Sequence, residues 1–173
     1  PASNIDATIE AGIAATMVGV EIEKGVKATQ AAAHSLAVEH NNRAETYMNR
    51  GEYENAIQEF DKVIQLDPGN VLAYNGRAFL YGRLGQYQLA LQDAERVIIL
   101  VPGNAMAHNN RGYYRAGLGD YELAIQNYDK SIQLDPNLAM AYFDRGMAYR
   151  RLGQHAKADA DLSKACSLDR RYC

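Results

Sequence analysis

Residues 105–138 read AMAHNNRGYYRAGLGDYELAIQNYDKSIQLDPNL, two amphipathic stretches with their turns, and versions of this segment occur four times along the chain. Pro68, Pro102 and Pro136 stand 34 residues apart. The same interval separates Gly51, Gly85, Gly119 and Gly153, and again Ala56, Ala90, Ala124 and Ala158. A fixed period in this range marks a helical solenoid, in which each unit buries its apolar face only against its neighbours.

Within each unit a first helix closes at the glycine, as a left-handed C-cap requires. A residue later stands Tyr53, Tyr87, Tyr121 or His155, and a second helix carries the alanine. That helix stops at Leu-Asp-Pro or Leu-Val-Pro, because proline lacks a donor N–H and disfavours helix in the residue before it. The last unit has Arg170 in place of the proline, and its second helix alternates Lys157, Asp159, Asp161 and Lys164. An outer face that tolerates water lets this unit serve as its own cap.

Residues 37–170 resemble four tandem tetratricopeptide repeats: period, glycine, alanine and proline columns agree together. The units run 37–70, 71–104, 105–138 and 139–173, and residues 1–36 form a helical extension or cap. The resemblance implies an all-α, right-handed α-solenoid of helix-turn-helix repeats with an extra N-terminal helical segment. Ala44, Ala78, Gly112 and Gly146 fill a second small-residue column. Two departures stand out. The family's tryptophan column holds His40, Tyr74, His108 and Tyr142, and its leucine column holds Arg43, Arg77, Arg111 and Arg145. One arginine per repeat in a packing column reads as structural, its stem between helices and its head on one of Glu59, Asp61, Asp93, Glu95, Asp129 or Asp161. A functional row of charge is the alternative.

Ahead of the repeats, Ser3 or Asn4 is a candidate helix cap, and Ile5, Ile9, Ile13 and Val20 share one apolar face. Gly25 is read as a break. From Val26 to Arg50 no proline or glycine interrupts a long helix, whose second half doubles as the first helix of repeat one.

The whole chain excludes several classes. Its 173 residues are 47% hydrophobic and 23% charged, with a net charge of −3, which gives no push toward nucleic acid or an anionic membrane. No apolar run reaches the roughly 18 residues of a membrane span. The first residue is Pro1 rather than Met, which leaves a cytoplasmic and a periplasmic or exported location both open. No phosphate-cradling loop, dinucleotide fingerprint or His-Glu-x-x-His occurs, so neither catalysis nor a cofactor is expected. His155, Cys166 and Cys173 match no established zinc spacing. Cys166 and Cys173 are a candidate disulfide; the alternative is a buried cysteine on the last helix and an unrelated tail thiol.

In the family resembled, the first helices line a concave surface that takes a peptide or helix of another protein. Carried over by column, that face holds Asn41, Glu45, Met48 and Asn49 from repeat one, and Leu72, Asn75, Phe79 and Arg83 from repeat two. Repeat three supplies Met106, Asn109, Asn110 and Tyr113, and repeat four Met140, Phe143, Asp144, Met147, Arg150 and Arg151. Asn41, Asn75 and Asn109 form a ladder suited to a peptide backbone, since each amide both donates and accepts. Leu72, Met106 and Met140 form an apolar row beside it, and such side chains suit adaptable binding. Some family members grip a C-terminal carboxylate with a clamp of two lysines, two asparagines and an arginine. The lysine columns here carry Asn41 and Met106, so the chain does not bind chaperone tails in that way. The reading is a non-enzymatic adaptor whose partner is another protein, with an acidic end facing the groove's arginines. The alternative is a self-assembling scaffold in which the N-terminal helix occupies its own or a neighbour's groove.

Overall fold

The computed structural model describes the backbone of residues 2–173 and the side chains of residues 19–173. Its helices are α1 (Ala2–Asn49), α2 (Tyr53–Leu66), α3 (Val71–Arg83), α4 (Tyr87–Leu100), α5 (Ala105–Gly117), α6 (Tyr121–Leu134), α7 (Ala139–Arg151) and α8 (His155–Leu168). A single 3-10 turn, Arg170–Tyr172, follows, and no strand occurs among the described residues. Each helix packs on the next in sequence, and first helices α5 and α7 also touch directly. This is an all-α solenoid.

The punctuation read from the sequence has a clear geometric origin. Gly51, Gly85, Gly119 and Gly153 are the residues with positive φ, between 72° and 90°. At the first of them the Gly51 N–H donates to the Met48 carbonyl at 3.0 Å and the Glu52 N–H to Tyr47 at 2.9 Å. These paired bonds satisfy carbonyls that the helix end leaves open, and a β-carbon would oppose the required backbone. After the prolines, Asn70 Oδ1 accepts from the Ala73 N–H at 3.0 Å and Asn104 Oδ1 from Ala107 at 3.1 Å, capping α3 and α5. Leu138 stands at the equivalent place before α7 and provides no such cap.

The small columns lie at the helix crossings. Ala56, Ala90, Ala124 and Ala158 are all fully buried, as are Ala44 and Ala78. Gly112 is the tightest of its column: a β-carbon there would sit 2.6 Å from the ring of Tyr128, itself 1% exposed. A ring so enclosed cannot yield without shifting α5 from α6, a strain of about 1–3 kcal/mol for even one added methyl.

The arginine column is structural. Arg77 donates from Nε and Nη2 to the two oxygens of Asp93 at 2.8 and 2.6 Å, and from Nη1 to Asp61 at 2.5 Å. Asp61 lies on the second helix of the preceding repeat, so one guanidinium ties two repeats together. Arg145 repeats the arrangement with Asp161 and Asp129. Arg77 also lies over the rings of Tyr74 and Tyr81 at 5.8 and 5.9 Å. Arg43 meets Glu59 at 2.9 Å, and Glu59 also takes His40 and Lys62. Burial pushes the Glu59 carboxyl up, but hydrogen bonds from His40, Lys62 and Arg43 outweigh it and hold it at about 2. Arg111 breaks the pattern, because its partner at 2.5 Å is the neutral Asn127.

One expectation changes: helix α1 runs through Gly25 without a break, since one glycine costs only about 1 kcal/mol, less than the surrounding run of good helix formers supplies. Residues 19–36 are exposed except for the half-buried Ala33. In the tryptophan column His40 meets Glu59, and His108 Nε2 lies 3.1 Å from the Pro102 carbonyl. The side chains of Ile5, Ile9 and Ile13 fall outside the described residues. No described helix is long and apolar enough to cross a membrane.

Candidate functional site

The first helices α3, α5 and α7 bring together most of the residues assigned to the groove. A cavity of about 400 Å³ is lined by Phe79, Arg83, Met106, Asn109, Asn110, Tyr113, Met140, Phe143 and Asp144 from that set. Gly82, Tyr114 and Tyr172 complete its wall. A second cavity of about 290 Å³ adjoins it, sharing Tyr113, Phe143 and Asp144 and adding Met147 and Arg151. Asn41, Glu45, Leu72, Asn75 and Arg150 line neither, so the candidate site lies on repeats two to four.

The apolar members stand open to solvent although they are large. Phe79 and Tyr113 are about half exposed, Met106, Met140 and Met147 somewhat less, and Leu72 is 75% exposed. Helical spacing explains why they share a face: within α5, Met106, Asn109, Asn110 and Tyr113 follow one another at three- and four-residue steps. Tyrosine rings give the face its relief. Tyr113 meets Tyr87 edge-on at 6.4 Å and Tyr114 at 5.7 Å.

The asparagine ladder is not three equivalent free amides. Asn41 and Asn75 are half-buried, whereas Asn109 is 1% exposed and its Nδ2 donates to Asp144 Oδ2 at 2.8 Å. The physical reason is the step between repeats, which sets α7 against α5 and brings Asp144 over Asn109. The Oδ1 of Asn109 is buried without a hydrogen-bond partner. Burial among aromatic and methionine side chains pushes the Asp144 carboxyl up to about 6, and the Asn109 amide pulls it down less. A half-buried carboxyl, two aromatic rings and a buried, unpartnered acceptor therefore lie together at the floor of the groove.

Sequence reasoning missed Tyr172 altogether. The structure joins Cys166 to Cys173, with Cα atoms 4.6 Å apart. Asp169 caps the turn through the Arg171 N–H at 2.9 Å. The folded-back turn sets the Tyr172 ring 5.1 Å from Phe143, at the groove's C-terminal end. Nothing in the 34-residue pattern foretells this, because Tyr172 falls in the column of Asn70, Asn104 and Leu138, where no other aromatic stands. Asp144 was more accessible to reading: its column holds Asn42, Gly76 and Asn110, and it alone is charged. Among the described residues no group of three or more histidine, cysteine or acidic side chains is placed to hold a metal ion.

Helix pairs of this length, small residues at their crossings and an open face on the first helices define a protein-interaction scaffold of tetratricopeptide repeats. The family model described as TPR repeat matches residues 44–85 and 118–153, and the one described as tetratricopeptide repeat matches 139–172. The chain belongs to the tetratricopeptide-repeat family. It is similar to MamA 41-end from Desulfovibrio magneticus RS-1, at 27% identity and a TM-score of 0.72 over 78% of this chain and 76% of that one. It is also similar to the first TPR of Spaghetti (RPAP3) bound to the HSP90 peptide SRMEEVD, at 26% identity and a TM-score of 0.65 over 69% and 94% of the two chains. The second TPR domain of human RPAP3, solved in complex with the HSP70 peptide SGPTIEEVD, is 27% identical with a TM-score of 0.64 over 67% and 97%. No curated protein sequence matches the chain.

Proposed function

We propose that this chain is a non-enzymatic adaptor that holds a peptide or helix of another protein against α3, α5 and α7. The observation that carries the reading is the exposed row of Phe79, Met106, Tyr113 and Met140 around the 400 Å³ cavity, with Met147 on the adjoining one. A scatter of single apolar residues needs no explanation, but a contiguous concave patch reads as a binding surface. Two of the similar domains carry acidic peptides. Here the two lysine columns of the family's carboxylate clamp hold Asn41 and Met106, so the occupant is gripped by apolar contacts instead. The repeats of this adaptor run 37–70, 71–104, 105–138 and 139–173, with residues 1–36 as the extension.

Phe79→Ser combined with Met106→Ser tests this. Both side chains are exposed, so the melting temperature should stay within a few degrees of the parent while proteins captured by affinity purification are lost from the mass-spectrometric profile. An unchanged set of captured proteins would sink the groove reading.

A second reading rests on α1. Val20, Ile22, Val26, Leu36 and Val38 are all more than 40% exposed on α1, which packs against α2. Such a helix can associate with another copy. If it does, removing residues 1–25 lowers the mass measured by light scattering to that of one chain. A single-chain mass before removal would dispose of self-assembly.

A further inference from the structure

We propose that the cavity between α5 and α7 accepts a lysine or arginine side chain of the bound partner, seated on Asp144 and Asn109 with its aliphatic stem against Met106, Met140 and Phe143. This rests on the groove reading and deepens it by naming the chemistry of the occupant.

Three observations support it independently. First, Asp144 lies in the floor of the cavity and its hydrogen-bond partner is the neutral Asn109 amide at 2.8 Å, with no ion pair among the described residues. The buried carboxylates among the described residues, Glu59, Asp93 and Asp161, are each bonded to an arginine of the repeat column. The half-buried Asp144 departs from that pairing. Second, the same site holds an unused acceptor, Asn109 Oδ1, on a residue that is 1% exposed. Buried acceptors are nearly always bonded, and an ammonium or guanidinium has donors enough for this oxygen and the carboxylate together. An acidic or purely apolar occupant satisfies neither. Third, the walls are of the kind that a cationic side chain favours: Tyr113, Phe143 and Tyr172 offer ring faces, and methionines accommodate a methylene stem.

The charged groups that face this place from the neighbouring elements are few. Arg83 from α3 is exposed and lines the mouth of the cavity, and Arg151 from α7 lines the adjoining one; neither forms an ion pair with Asp144. Tyr87 from α4, Tyr113 and Tyr114 from α5, Tyr121 and Tyr128 from α6, and Tyr172 are the titratable tyrosines of the two cavities. Arg83 and Arg151 flank the seat rather than fill it, which favours a single basic side chain among neutral or acidic neighbours over a run of basic residues.

The test uses the full chain and three capped tripeptides, Leu-Lys-Leu, Leu-norleucine-Leu and Leu-Glu-Leu, titrated at pH 7.5 and followed by NMR at the Asn109 side-chain amide and the methyl groups of Met106 and Met140. The lysine peptide is expected to shift all three signals saturably, with a Kd about tenfold below that of the norleucine peptide, as a charge-assisted hydrogen bond provides. Asp144→Asn should abolish that tenfold preference while the norleucine peptide binds as before. Equal Kd values for the lysine and norleucine peptides, tighter binding of the glutamate peptide, no shift with any peptide, or a lysine preference that survives in Asp144→Asn would each overturn the proposal. Equal binding of the first two, centred on Met106 and Met140, would leave the groove standing without its basic specificity.

Discussion

Replacing Arg77 by leucine should destabilise this protein by about 3–5 kcal/mol, the range observed when one partner of a buried ion pair is removed and the other is left behind. Asp93 is 4% exposed and takes both of its guanidinium bonds from Arg77. Without them its buried carboxylate is left with no bonded cation among the described residues. The same substitution frees Asp61 on α2, so repeats one and two lose a tie as well as a charge. In a solenoid, stability is close to a sum of units and their interfaces. The loss should therefore appear as early unfolding of α1 to α4 in hydrogen exchange, with α6 to α8 still protected. Urea unfolding of Arg77→Leu beside Arg111→Leu is the decisive comparison. Arg111 bonds to neutral Asn127, so its removal strands no carboxylate and should cost only about 1 kcal/mol. Equal losses for the two variants would show that the arginines act by packing alone. Converting Arg77 and Asp93 together to leucine should recover much of the loss, since an apolar pair of similar volume replaces a buried ion pair at little net cost.

Asp144→Asn should have the opposite sign and stabilise the fold at neutral pH by about 2–3 kcal/mol. Burial raises the Asp144 carboxyl from its ordinary 3.8 to about 6. Its folded form therefore holds a proton more tightly than its unfolded form, and each pH unit of difference corresponds to about 1.4 kcal/mol. Stability is undiminished by this group below pH 4, falls as pH rises between about 4 and 6, and carries the whole penalty above 6. Asparagine removes the charge and keeps a hydrogen bond to Asn109. The gain in melting temperature over the parent should thus be large at pH 7.5 and vanish at pH 4. Equal gains at both values, or a loss at pH 7.5, would mean that the carboxylate is not the source of strain. A residue that lowers stability where it stands, and whose neutral counterpart raises it, fits a place kept for binding rather than folding.

The sequence by itself determined the solenoid. The 34-residue interval, the glycines with positive φ and the fully buried alanines are local or nearest-neighbour properties, and each is written at a fixed column. It also foretold that Arg77 and Arg145 bind acids on the second helices, because those acids recur at the same period. The family resemblance, carried over by column, put Phe79, Met106, Tyr113 and Met140 on one face, and all four line one cavity. Tertiary structure decided what those columns could not contain. Asn41, Asn75 and Asn109 look alike in the chain, but only the stacking of α7 on α5 brings a carboxylate over Asn109 and buries it. Tyr172 reaches Phe143 only because the chain turns back after α8, where the proline and asparagine columns of the other repeats hold Arg170 and Tyr172 instead. Periodic features repeat one local geometry and can be read by spacing, whereas the site arises where two different repeats, Asn109 on one and Asp144 on the next, meet across space.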